Sequence, residues 1–179
     1  MLDYLAYAGI EGGLSLGNYQ REYHAIDQEL GREGFRTWEW LWDGYNQAGG
    51  EDFPLVYSDA KEQRRLMCPQ AQVERAEPWW SKLCENYRGR IHADTTMLII
   101  NFEPPVFNCC FCTRCRQAFA TWAKLPADRV AGLTPAEIQQ LPEDAWGRFR
   151  AWQNGQIVKH HCAAIHQANP QVQVGLCGP

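Results

Sequence analysis

The stretch TTMLIINFE, residues 95–103, decides the fold. Met97, Leu98, Ile99 and Ile100 form an unbroken apolar run, partly β-branched and too short for an ordinary helix. Such a run reads as a strand buried on both faces, the pattern of a parallel sheet covered by helices. Glu103 stands just past its end. In parallel β/α architectures the ligand site lies at the C-terminal strand ends, so this acid sits where chemistry is done.

Working outward, LGNYQREYHAIDQELGREG reads as a helix with Tyr19, Tyr23, Ile26 and Leu30 on one face and Gly34 as its stop. FRTWEWLWDG then switches to the alternation of a strand. NQAGGEDFPLVYSDAKEQRR reads as a long loop, and AQVERAEPWWSKLCENYRGR as a helix interrupted early by Pro78. On the other side, Cys115, Phe119 and Trp122 recur at helical spacing over residues 113–125, and TPAEIQQLP makes a helical turn. A long helix covers residues 144–168, and VQVGLCGP closes as a strand. Helices alternating with short buried strands mean parallel β/α units. About three to four such units fit, whereas a closed eight-stranded barrel takes about 250 residues. The expectation is one α/β domain over residues 1–179, part of a TIM-type (β/α)8 barrel and a fragment of a longer chain. A small open α/β sheet is the alternative.

A chain of 179 residues buries roughly 70% of its unfolded surface, enough for a real core. With 45% hydrophobic and 21% charged residues it reads as globular rather than disordered. A net charge of -4 gives no reason to expect nucleic acid as a partner. No apolar run approaches a membrane span, and Asp3 stands where a signal peptide would be basic, so neither membrane insertion nor export is expected.

The eight cysteines exceed what packing needs. Cys110, Cys112 and Cys115 form C-x-C-x-x-C, and the adjoining Cys109 offers C-x-x-C-x-x-C instead. Clustered thiols of this kind favour zinc over a disulfide framework and point to a reducing, cytoplasmic setting. Zinc takes four ligands, and Cys68 in RRLMCPQ is the candidate for the fourth, ahead of Cys84 inside a helix pattern. Cys162 and Cys177 read as core residues.

Pro104 and Pro105 stiffen the chain leaving Glu103, and apolar neighbours such as Phe102 and Phe107 would keep its proton on near neutral pH, as a general acid requires. Trp38, Trp40 and Trp42 share one face at strand period, which serves core packing or, at Trp42, stacking on a pyranose with Asp43 bonding its hydroxyls. Glu39 and Asp43 are weaker candidates for a second catalytic acid. Trp79 and Trp80 read as a hydrophobic anchor, His160 and His161 as solvated or capped, and Arg64 and Arg65 as surface cover or a carboxylate clamp.

RRLMCPQAQVERA, the apolar strand ending in Glu103, CFCTRCRQAFATWAKL and LPEDAWGRFRAWQ together resemble the family forty-two glycoside hydrolases, chiefly β-galactosidases of the β/α-barrel clan A. The resemblance runs from Arg64 to Trp122. It implies a structural zinc held by Cys68, Cys110, Cys112 and Cys115, followed by a helix carrying Arg116, Phe119 and Trp122. It makes Glu103 the acid/base carboxylate of a retaining mechanism, with the nucleophile on a seventh strand outside this chain. The clan usually has Asn directly before that Glu; here Phe102 holds the place, and Asn101, one residue back, is carried as a substrate-binding candidate. A non-catalytic carbohydrate-binding or zinc-stabilised interaction domain on the same scaffold is the alternative. Sheet edges and an apolar face exposed by an isolated partial barrel predict that the chain associates or aggregates when expressed alone. A homo-oligomer is a separate expectation for the full-length protein.

Overall fold

The structure, a computed structural model, describes residues 12–15, 29, 32, 36–42, 50–91, 95–101 and 109–177. Its elements run β1 (Gly12–Ser15), β2 (Arg36–Trp42), β3 (Pro54–Val56), β4 (Glu62–Met67), α1 (Pro69–Val73), α2 (Trp79–Arg90), β5 (Met97–Asn101), α3 (Thr113–Ala123), α4 (Ala127–Gly132) and α5 (Pro135–Gln139). A short 3-10 turn (Pro142–Asp144), α6 (Ala145–Ala168) and β6 (Gln173–Cys177) complete them. The expected helix before β2 lies outside the described residues apart from Glu29 and Arg32, which are helical. The chain divides into two compact units.

The first unit comprises Met1–Gly44, Cys84–Glu103 and Ala164–Pro179. Its sheet has four parallel strands in the order β1-β2-β5-β6. The expected α/β character with parallel strands is therefore present. Leu98 and Ile100 are fully buried while Met97 and Ile99 are half-buried, so both faces of β5 are covered to different depths. Gln173 N–H donates to the Thr96 carbonyl at 2.9 Å, fixing the start of β6 beside β5. At the C-terminal edge Trp42, Asn101 and Cys177 stand level in the register.

The second unit comprises Tyr45–Leu83 and Pro104–Ala163. The region expected to be a long loop holds an antiparallel hairpin, β3 with β4. Its turn is closed by Ala60 N–H donating to the Tyr57 carbonyl at 3.1 Å, and Ala60 takes a left-handed φ of 64° where glycine is usual. Gly50 lies so close to β4 that a Cβ there would meet the Arg64 carbonyl oxygen at 2.3 Å.

An aromatic core fills this unit. Phe111 stacks on Trp146 with centroids 5.0 Å apart, and Phe119 meets the same indole edge-on at 5.0 Å. Phe149, one turn along α6, packs against Phe119 and Trp146 at 5.4 Å each. Buried rings of this kind dominate core energetics. Arg116 ties the helices together: Nε donates to the Phe111 carbonyl at 3.0 Å and Nη1 to the Leu133 carbonyl at 2.5 Å.

His161 on α6 is 1% exposed, packed edge-on against Trp79 at 6.1 Å, rather than solvated as the sequence suggested. Burial pushes its pKa down to about 4. In the unfolded chain an ordinary histidine titrates near 6.5. The neutral ring thus contributes fully above about pH 6.5, and falling pH favours the unfolded chain, which takes the proton first, until about pH 4. Lowering the pH from 7 to 5 is expected to cost the wild type about 2 kcal/mol more than a His161→Gln variant, measured by urea unfolding at each pH. Parallel pH profiles for the two proteins would contradict it.

Candidate metal centre

Four sulfur atoms meet in the second unit. The Sγ atoms of Cys68, Cys110, Cys112 and Cys115 all lie within 4.8 Å of one another. Cys68 follows β4 and occupies the N-cap position of α1. Cys112 is the N-cap of α3, and Cys115 falls in that helix's first turn. The C-x-x-C spacing is therefore a cap spacing: Cys115 N–H donates to Cys112 Sγ at 3.5 Å, placing both sulfurs at the electropositive helix start. Cys110 comes from the extended chain just before α3, where Tyr57 and Cys109 form an antiparallel bridge and Phe111 N–H donates to the Val56 carbonyl at 2.9 Å. From the same strand Val56 N–H donates to Cys110 Sγ at 3.1 Å.

The sulfur distances speak against a disulfide and are compatible with a metal. Cys68 Sγ lies 3.5 Å from both Cys112 Sγ and Cys115 Sγ, far beyond a bonded sulfur pair at about 2.05 Å. Four thiolates around a zinc-sized ion at about 2.3 Å would sit about 3.8 Å apart, within the spread found here. The donor set fits: four close, largely buried cysteines with hydrogen-bond donors already aimed at the sulfurs can hold a metal ion.

Crowding spreads the acidities of the four. Hydrogen bonds from Cys110 and Cys115 hold the Cys112 thiol far below its ordinary range, while burial pushes Cys115 well above it. Protons shared among thiols in this way are what a bound cation replaces. Cys109, the alternative ligand left open by the sequence, is buried but not one of the four, and burial pushes its thiol up to about 11. Cys84 is buried on α2 and Cys162 is half-buried on α6, outside the cluster.

The other candidate residues belong to the first unit. Trp42 ends β2 and Asn101 ends β5, and the two are direct register partners. Glu103 and Asp43 lie outside the described residues. The sequence reading missed Arg150 and Gln153, which stand beside the sulfurs on α6. Their signal was present: both fall on the helix stripe of Trp146, Phe149 and Ile157, where polar residues are out of place.

Scanned against protein-family models the chain matches none, and no curated protein matches it either. Among the described residues no helix is long and apolar enough to cross a membrane.

Proposed function

We propose that this chain is part of a β-galactosidase-like retaining glycoside hydrolase built on a (β/α)8 barrel, with a structural zinc ion at the four cysteines. The observation that carries the reading is the four-sulfur site assembled from Cys68 and the C-x-C-x-x-C segment, between which the sequence carries an acid two residues after the last residue of β5. Parallel strands in chain order support the barrel. Four thiolates fill a tetrahedral ion and leave no position for water, so the metal's part is structural.

In this reading the carboxylic acid of Glu103 gives its proton to the glycosidic oxygen as the bond to the anomeric carbon breaks. A second carboxylate, from outside this chain and about 5 Å away, takes the sugar as an ester. Glu103, now ionised, removes a proton from the water that hydrolyses it. Trp42 stacks on the sugar, and Asp43 and Asn101 bond its hydroxyls. The partner is a carbohydrate.

The test is hydrolysis of a panel of aryl glycosides, differing in sugar, by the full-length protein that carries this chain. Release of phenol with retained anomeric configuration supports the reading. Phe102, in place of the clan's usual Asn, favours a second one, a domain that binds carbohydrate without cleaving it. Saturable sugar binding with no turnover would select that alternative.

A further inference from the structure

Arg150 is 4% exposed, and none of the ion pairs among the described residues includes it. A guanidinium taken out of water without an anion costs several kcal/mol, so its compensating charge has to be found nearby. What its donors reach is sulfur and amide. Nη1 points at Cys115 Sγ at 3.8 Å and donates to Gln153 Oε1 at 2.5 Å, and the guanidinium leans over the Trp146 ring at 5.7 Å.

The group is held in that direction. Because Gln153 Oε1 accepts from Arg150, Gln153 Nε2 is the donor that faces Gln70 Oε1 at 2.7 Å and Cys115 Sγ at 4.0 Å. Gln70 Nε2 in turn donates to Glu74 Oε1 at 3.0 Å, and Arg114 closes the chain on the same carboxylate. Each amide is fixed by the next, from the surface inward, so neither Arg150 nor Gln153 is free to turn from the sulfurs.

We propose that Arg150 is the built-in counter-cation of the four-cysteine metal site: it offsets part of the excess negative charge that four thiolates carry around a dication, and so strengthens metal binding. The inference rests on the metal-site reading. Four thiolates and a divalent ion leave two negative charges in a buried place, which a fixed guanidinium halves.

Cobalt(II) is the probe, because its colour reports sulfur ligation. The full chain and its R150K, R150Q and R150M variants are titrated anaerobically against a competing chelator. R150K, which keeps the charge, should bind within about threefold of wild type, whereas R150Q and R150M should bind about 10 to 100-fold more weakly. The sulfur-to-cobalt charge-transfer band should move to longer wavelength in R150Q and R150M and stay in place in R150K, since removing the cation raises the energy of the sulfur electrons. If R150M does not fold, R150Q against R150K carries the same comparison. Neutral variants that match wild type in affinity and band position would overturn the proposal, as would R150K binding as weakly as R150Q. A wild-type chain that gives no four-sulfur cobalt spectrum would overturn the metal site itself, and the proposal with it.

Discussion

The Cys110→Ser, Cys112→Ser double variant is expected to bind no zinc and to lose cooperative unfolding of the second unit, while the wild type carries one ion per chain. Hydroxyls are poor zinc ligands, and two sulfurs cannot close a tetrahedral site. Structural zinc contributes roughly 10 to 16 kcal/mol of apparent binding energy in small domains, as much as the whole stability of a typical domain. Here the loss spreads beyond the sulfurs. Cys110 accepts from Val56 and adjoins Phe111, whose ring stacks on Trp146, so releasing the ion uncouples the hairpin from the aromatic core. Elemental analysis and near-ultraviolet circular dichroism read the two effects together. A metal-free wild type with a sharp unfolding transition would refute the expectation.

Replacing Glu103 with Gln should lower turnover of the full-length protein about 100 to 10,000-fold on substrates with poor leaving groups. The amide keeps the shape and cannot give up or take a proton. The loss should shrink on substrates whose aryl leaving group departs without protonation, because only the second step then needs the base. Added azide, a nucleophile that requires no deprotonation, should restore that step. An equal loss on every leaving group would instead point to a binding or folding role. Unchanged turnover would exclude Glu103 from the chemistry.

The apolar runs carried most of the architecture. Residues 97–100 and the aromatic alternation around Trp40 mark strands because their composition leaves no competing pattern, and α3 and α6 stand out by the spacing of Phe119, Trp122, Trp146 and Phe149. The β3–β4 hairpin was illegible for two reasons. Its turn uses Ala60 at the position where glycine is the usual signal, and β4 reads EQRRLM, too charged to suggest a strand. That hairpin supplies the Val56 N–H and leads into Cys68, so the sequence indicated the ligands while hiding the scaffold that brings them together. Arg150 escaped notice because an arginine within a helix reads as solvated, even though its place on the stripe of Trp146, Phe149 and Ile157 marks a buried side of α6.

Cys68 and Cys112 stand 44 residues apart along the chain. A covalent bridge closing a loop of that size would remove chain freedom worth about 4 kcal/mol from the unfolded state. An ion held between them constrains the chain in the same sense, yet by bonds that a reductant leaves whole and a chelator undoes. With an ion bound at the four cysteines the second unit would have a removable staple, and its resistance to proteolysis should then follow free metal concentration rather than redox potential.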